Sequence, residues 1–140
     1  MKIQLIPQED IEIIAPLLMS RNFDIDPELL KYRLREMATQ NYQCVGVWID
    51  DQLIGCSGMW IKTNYYIGKH LEPDNVIILE AYRNQGIGKQ LVDWMFDYGK
   101  SQGCVASELN CYMDNPNGHR FWQAQGFEQV ALHFQCQFKD

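Results

Sequence analysis

The first informative feature of this sequence is what it has little of. No part of its 140 residues approaches the ~18 consecutive apolar residues of a membrane-spanning helix, and Met1 to Leu5 lack the apolar block of a signal peptide. Basic residues are outnumbered, since 12 Lys and Arg face 18 Asp and Glu, for a formal charge of -6 at pH 7. That balance argues against nucleic acid and anionic membranes and suits a cationic partner. We therefore expect a cytoplasmic protein with no nucleic-acid partner and no membrane partner.

Cysteine pairs are also missing. The cysteine count of five is odd, and no two cysteines form a C-x-x-C pair. Four of them lie in apolar, strand-like surroundings, where a free cysteine usually packs as a small hydrophobe. These four are Cys44, Cys56, Cys104 and Cys111. The pattern predicts buried thiols in a reducing compartment, with no disulfide framework and no metal.

The size and composition predict one domain spanning residues 1–140. The hydrophobic fraction is 46% and the aromatic fraction is 12%. A chain of this length buries roughly two thirds of its unfolded surface, which is enough for a single core. We find no repeat, linker or low-complexity segment.

Hydrophobic spacing predicts alternating strands and helices. Pro16 is expected to kink or shorten the first helix, and Asp26-Pro27 is a typical start for the second one. The predicted strands are 3–6, 42–49, 53–61, about 72–79, 105–113 and 130–138; the predicted helices are 8–20, 27–39, 87–98 and a short one after Asn115-Pro116. The order β-α-α-β-β-β-α-β-α-β favours an α/β protein with a mixed sheet.

Two glycines stand where a strand leads into a helix. The run Arg83-Asn84-Gln85-Gly86-Ile87-Gly88 follows the apolar segment 76–79 and opens the amphipathic segment 87–98. Glycines let a ligand approach the backbone, and the first N–H groups of a helix attract phosphate. Leu91 stands where the dinucleotide fingerprint needs a third glycine, and no G-K-[ST] follows. The turn therefore predicts a phosphate ligand of another kind, or simply a tight connection.

A second motif gives this turn a context. Residues 83–88 match the pattern Arg/Gln-x-x-Gly-x-Gly/Ala, with Tyr82 before it. The segment 115–127 reads N-P-N-G-H-R-F-W-Q-A-Q-G-F and matches N-x-x-A-x-x-F-Y-x-x-x-G-F at Asn115, Phe121, Gly126 and Phe127. With both motifs on the expected elements, the chain resembles the GNAT family of N-acetyltransferases over nearly its whole length.

The resemblance implies a fold and a donor. The implied fold is a mixed, mostly antiparallel sheet of six to seven strands with helices on both faces, splayed between the fourth and fifth strands. The implied donor is acetyl-CoA, with the strand backbone along the pantetheine arm, the glycine turn on the pyrophosphate and the second motif flanking the arm. The implied contact residues are Ile77, Ile78, Arg83, Gln85, Gly86, Ile87, Gly88, Lys89, Asn115, Phe121 and Trp122.

Acetyl transfer to an amine needs a proton acceptor, because most amines are protonated at neutral pH. In the family this is often a glutamate on the strand before the glycine turn, and Glu72 falls at the matching place. Asp74 lies two residues on, which puts both carboxylates on one face of a strand. The alternative is that they are solvated charges flanking Pro73 in a loop. Glu80 in the turn and Glu108, acting through a water, are further candidates.

The second motif departs from the family at Trp122, where tyrosine commonly protonates the leaving thiolate. An indole N–H donates a hydrogen bond but is not a useful acid. Tyr112, His119 or water are the substitutes. The departure also leaves open a rival function, a non-catalytic module that binds acyl-CoA as a sensor or regulator.

The resemblance implies a primary amine as the acceptor, without specifying its kind. A small cationic amine, an aminoglycoside-like compound, or a protein lysine or N-terminus all fit, and the negative charge favours a cationic one. Trp60, Tyr65 and Tyr66 are candidates to stack on the acceptor, with ordinary packing as the alternative. Direct attack in a ternary complex is expected, because neither Cys104 nor Cys111 has an evident activating base. The protein is expected to be a monomer or a homodimer.

Overall fold

The computed structural model describes residues 1–21 and 24–139. Its five strands are Lys2–Ile6 (β1), Gln43–Ile49 (β2), Gln52–Asn64 (β3), Gly68–Ile78 (β4) and Ala106–Ser107 (β5). Its four α-helices are Ala15–Met19 (α1), Pro27–Ala38 (α2), Ile87–Ser101 (α3) and Pro116–Ala124 (α4). Two 3₁₀ helices, Gln8–Ile14 and Glu80–Tyr82, precede α1 and the glycine turn.

The strands form one sheet in the order β1-β2-β3-β4-β5. The first three pairings are antiparallel, and the β4–β5 pairing is parallel. β5 pairs with β4 only at His70↔Ala106 and Leu71↔Ser107, while β4 continues to Ile78. The mixed, mostly antiparallel fold and its splay after the fourth strand are therefore confirmed, although the sheet has five described strands instead of six or seven.

Local signals explain where several elements begin and turn. The Asp26 carboxylate accepts the backbone N–H groups of Glu28 and Leu29, which starts α2 as predicted. Asp50 and Asp51 both have positive φ, at 50° and 63°, the conformation of a two-residue type I′ hairpin. This turn fixes the register of β2 against β3 and hence which side chains face the core.

Helices pack on the sheet by two different apolar surfaces. The first surface joins the 3₁₀ helix Gln8–Ile14, α1 and α2 to the sheet. Its fully or nearly buried members are Ile6, Ile11, Ile14, Ala15, Leu17, Leu30, Leu34, Tyr42, Cys44, Cys56 and Ile77. The second surface belongs to α3, whose Gly99 lies against Leu71 of β4. Because successive residues of a strand face opposite ways, the neighbours of Leu71 on β4 face away from α3.

Several predicted boundaries are wrong. The segment 8–20 is a 3₁₀ helix followed by the short α1, with Pro16 in the first turn of α1. β4 begins at Gly68 and not near Glu72, because β3 extends to Asn64 and pairs with it across a tight turn. The predicted strand 105–113 shrinks to β5.

The predicted strand 130–138 is also wrong. The residues from 127 to 139 contain no strand, and Val130, Phe134 and Phe138 are 81%, 85% and 99% exposed. Alternation of apolar residues shows which side chains share a face, but a strand also needs a partner for its backbone hydrogen bonds. No such partner is paired with this segment in the described chain.

The described residues divide into two compact units, Met1–Leu109 and Asn110–Asp140. The sheet and α1 to α3 belong to the first unit, and α4 belongs to the second. Among residues 1–21 and 24–139, no helix combines the length and apolar content needed to cross a bilayer.

Gly58 offers a test of the first apolar surface. A Cβ at Gly58 would overlap the ring and hydroxyl of Tyr42, whose side chain is fully buried. We expect Gly58→Ala to lower the free energy of unfolding by about 1–3 kcal/mol, as overpacking a close-packed core does. Urea unfolding followed by circular dichroism measures this change.

Gly99→Ala is the matched control. There the added Cβ would meet Leu71 at 3.5 Å, an ordinary contact, inside an α-helix. Alanine favours a helix interior by roughly 0.5–1 kcal/mol over glycine, so this variant should be as stable as the parent or more stable. Equal stability of the two variants would contradict the packing assigned to Tyr42.

Candidate active site

Charged side chains line one face of β4. His70, Glu72 and Asp74 occupy alternate positions, and Lys62 and Trp60 of β3 stand opposite His70 and Glu72. Residues directly opposite each other in an antiparallel pair project from the same face. We call His70, Glu72 and Asp74 the polar row; it faces away from α3, on the side of the sheet that carries Trp60.

Both carboxylates predicted to be catalytic have a partner on β3. Lys62 Nζ lies 2.6 Å from Glu72 Oε2, and the Trp60 indole N–H donates to Asp74 Oδ2 over 2.9 Å. The Glu72 side chain is 18% exposed. The structure therefore places Glu72 and Asp74 on a strand, on one face, and not in a loop. Their catalytic role stays a prediction.

Glu108 joins this row from the neighbouring strand. It directly follows β5, and its backbone N–H donates to the Leu71 carbonyl, which continues the parallel register and puts it beside Glu72. Its carboxylate accepts from Asn64 Nδ2 at 3.1 Å and from the Tyr66 hydroxyl at 3.4 Å. Loss of hydration and the Glu108 charge raise the pKa of Tyr66, so its hydroxyl remains a donor at neutral pH.

His70 is the site residue that sequence reasoning missed most clearly. Its side chain is fully buried, Nδ1 lies 3.1 Å from the Gly68 carbonyl, and Nε2 lies 3.3 Å from Glu108 Oε1. Lys62 and Asn64 were missed as well. The sequence signal that could have found His70 is the alternation of side chains along a strand. If β4 begins at Gly68, positions 70, 72 and 74 share one face.

A buried tyrosine lies next to the row. The Tyr42 and Trp60 rings are 4.9 Å apart at a tilt of 53°. Burial, with the nearby Cys44 and Asp74, raises the pKa of Tyr42 far above its ordinary value. Tyr42 is therefore a neutral packing residue under Trp60, and not an acid for catalysis.

The glycine turn has the shape of a ligand cradle. Gly86 has φ 80° in the left-handed region, immediately before α3, and a Cβ there would meet no atom of residues 1–21 or 24–139 within 4 Å. Arg83 Nε donates to the Ile78 carbonyl at 2.8 Å, which ties the turn to the end of β4. The start of α3 therefore offers exposed backbone amides, the arrangement that favours an anion.

The other residues of the first unit that are predicted to contact the donor lie at the end of β4, in the glycine turn and at the start of α3. Ile77 and Ile78 end β4, with Ile77 buried and Ile78 half-buried. Gln85 Nε2 donates to the Ala81 carbonyl at 3.4 Å, and Lys89 Nζ pairs with Asp93 at 2.7 Å. Ile87 is buried and Gly88 is half-buried, so the backbone is the part of them that a ligand could contact.

The second unit holds the second motif. Asn115 Oδ1 accepts the Gly118 N–H at 3.0 Å, so Asn115 caps α4 as predicted. The Trp122 ring meets Phe121 and Phe127 edge to face, at centroid distances of 4.9 and 5.2 Å. His119 Nε2 lies 2.8 Å from the Tyr112 carbonyl, an acceptor, so this nitrogen carries a proton and donates it locally.

Comparison with known proteins identifies the family and the fold of this chain. Residues 11–127 match the model of the acetyltransferase (GNAT) family. An aminoalkylphosphonate N-acetyltransferase of Salmonella typhimurium is 29% identical over 63 residues, covering 45% of this chain and 41% of that protein. An aminoglycoside N(6')-acetyltransferase of Acinetobacter genomosp. 13 is 27% identical over 96 residues, covering 66% of each. Each match thus spans less than two thirds of the relative's length.

A solved structure shares the fold. An aminoglycoside N-acetyltransferase in complex with CoA superposes with a TM-score of 0.83 at 17% identity, covering 99% of this chain and 95% of the other. The family match covers most of the sequence, both motifs lie within it, and the sheet has the expected order and splay. The chain therefore belongs to the acetyltransferase (GNAT) family.

Proposed function

We propose that this protein transfers the acetyl group of acetyl-CoA to a cationic primary amine by direct attack in a ternary complex. The observation that carries the proposal is the coincidence of two features on one strand. β4 bears the polar row in its middle and leads, through the 3₁₀ helix Glu80–Tyr82, into the glycine turn. A carboxylate that accepts a proton and a cradle for a phosphate-bearing donor are thus supplied by one continuous stretch of chain.

The donor is assigned to the end of β4 and the turn. Past Leu71, β4 has no pairing with β5, so its backbone edge at Ile77 and Ile78 is proposed to hydrogen-bond an extended chain such as the pantetheine arm, beside the Arg83 side chain that already donates to the Ile78 carbonyl. The amides from Gln85 to Lys89 are proposed to hold the pyrophosphate. The CoA complex of the structural neighbour supports this choice of donor. Contacts to the donor from Asn115, Phe121 and Trp122 stay predictions.

The amine acceptor is proposed to bind at the carboxylates of the polar row. Glu72 and Asp74 share one face with Glu108, and three carboxylates close together attract an ammonium group. Two of the relatives are named for acetylating aminoalkylphosphonates and aminoglycosides, which are both amines. Tyr65 and Tyr66 lie in the turn between β3 and β4 and are 102% and 67% exposed, which suits contact with a bound amine.

Glu72 is proposed as the proton acceptor. Lys62 binds its Oε2, and the other oxygen takes the proton as the amine attacks the thioester carbon. Asp74 is held by Trp60 and supplies negative charge beside it. Water is proposed to protonate the departing thiolate, because Trp122 is packed between two phenylalanine rings and offers no acid.

An acceptor panel tests the proposed function. The purified chain is incubated with acetyl-CoA and, in turn, aminoalkylphosphonates, aminoglycosides, polyamines and lysine-containing peptides, and free thiol is measured. We expect release above the acceptor-free rate with at least one cationic amine, and mass spectrometry should show the acceptor heavier by one acetyl group. Neutral analogues in which a hydroxyl replaces the amine are the matched control.

Trp122 supports one second candidate, a module that binds acyl-CoA without turning it over. Its expected behaviour is saturable binding of acetyl-CoA by calorimetry with no thiol release across the whole panel. Binding together with acceptor-dependent release would instead support the enzyme. Absence of binding would count against both functions.

A further inference from the structure

His70 presents a buried nitrogen without a hydrogen-bond partner. The side chain is fully buried, and Nε2 forms no hydrogen bond within residues 1–21 and 24–139. Nδ1 lies 3.1 Å from the Gly68 carbonyl, which can only accept, so Nδ1 carries the proton. In the neutral ring, Nε2 then carries a lone pair. A buried acceptor without a hydrogen-bond partner costs folding free energy.

That lone pair faces other acceptors. Glu108 Oε1 is 3.3 Å from Nε2, and one ligand atom from each of His70, Glu72 and Glu108 lies within 4.8 Å of the others. A nitrogen lone pair and two carboxylates repel one another unless a positive charge lies among them. That charge is either a second proton on His70 or a metal ion.

We propose that His70, Glu72 and Glu108 bind a divalent transition-metal ion of the zinc type. Imidazole nitrogen and carboxylate oxygen bind Zn²⁺ at about 2.0–2.2 Å, and a tetrahedral site with such bonds puts neighbouring ligands about 3.4 Å apart. The observed 3.3 Å between Nε2 and Oε1 fits this spacing. A metal-bound histidine usually donates its other ring N–H to a carbonyl, as His70 does to Gly68.

The proposed metal site is open to solvent on one side, where Lys62 competes with the ion for Glu72. The side chains of Glu72 and Glu108 are 18% and 26% exposed, which gives an ion a route from solvent. Lys62 holds Glu72 Oε2 but is itself 57% exposed, and such partly exposed ion pairs contribute little free energy. The ion therefore displaces an ammonium group from Glu72. If the proposed function holds, zinc inhibits acetyl transfer in competition with the amine.

Metal binding is measured directly, without turnover. The whole chain is prepared with Cys136→Ser, because Cys136 is an exposed thiol, and is stripped with a chelator. Zn²⁺ is titrated against a chromogenic chelator, and Co²⁺ is titrated by visible absorption. We expect one ion per chain, and a loss of affinity of at least about 10-fold in His70→Gln and in Glu108→Gln. Lys62→Met removes the competing cation and should tighten binding.

Asp97→Asn is the matched control, since it removes an exposed carboxylate on α3 and should leave the affinity unchanged. Thermal unfolding shows whether His70→Gln is folded. If His70→Gln does not fold, Glu108→Gln still tests the metal site, because it changes a partly exposed side chain. No binding by the parent, or equal affinity in Glu108→Gln, would overturn the metal site. Because the readout is metal binding, failure of acetyl transfer does not affect it.

Discussion

Glu72→Gln is expected to lower kcat/KM for amine acetylation by about 10²–10⁴-fold, the range supplied by one general base. Glutamine keeps the length of the side chain and can still accept from Lys62, which lies 2.6 Å from Oε2. A loss therefore reflects the missing proton acceptor. The remaining rate should climb steadily with pH, because only amine that is already deprotonated reacts. Thiol release at saturating acetyl-CoA, followed between about pH 6 and pH 9, measures both effects.

Substitutions of other carboxylates show whether the loss of kcat/KM is specific to Glu72. Glu80→Gln is the control, since Glu80 is exposed in the 3₁₀ helix after β4 and should keep the parent rate. Asp74→Asn should raise KM for the amine more than it lowers kcat, because Asp74 is assigned to attraction and not to proton transfer. A near-normal rate in Glu72→Gln together with a large loss in Glu108→Gln would move the base to Glu108, acting through a water.

Local sequence signals predicted the parts of the fold that depend on few residues. Asp26 and Asn115, each followed by proline, mark the starts of α2 and α4. The run from Arg83 to Gly88 marks the entry to α3, with Gly86 in the left-handed conformation that glycine adopts most easily. In these places backbone geometry and side-chain chemistry are decided within one turn of chain, so the sequence suffices.

Contacts between distant segments were not predictable in the same way. The closeness of His70 and Glu108 depends on the parallel register of β4 with β5, which no local pattern specifies. A strand that begins near Glu72 also leaves out His70, because β4 in fact begins four residues earlier, at Gly68. The alternating segment 130–138 shows the opposite error, since its pattern is that of a strand but it has no strand partner in the described chain.

Gly86→Val is expected to weaken acetyl-CoA binding by about 10–100-fold. Gly86 has φ 80°, which a β-branched residue adopts only as an outlier, so the turn must change shape and move the first amides of α3. A hydrogen bond to a charged group contributes about 1.5–3 kcal/mol, and about 1.4 kcal/mol is tenfold in affinity. Losing one or two such bonds to the pyrophosphate accounts for the expected change. Isothermal titration with acetyl-CoA measures it.

Gly103→Val separates binding from backbone strain. Gly103 follows α3 with φ 86°, so valine there has nearly the same conformational cost, of the order of 1–3 kcal/mol in stability. Within the described part of the chain, a Cβ at Gly103 would meet the flexible side chain of Lys69, and the proposed donor site does not include this turn. We expect both variants to unfold at lower temperature, but only Gly86→Val to lose affinity for acetyl-CoA. Equal affinities of the two variants for acetyl-CoA would contradict binding of the pyrophosphate at the glycine turn. If both variants lost the same affinity, the loss would come from backbone strain. If neither lost affinity, the amides of α3 would not contact the pyrophosphate.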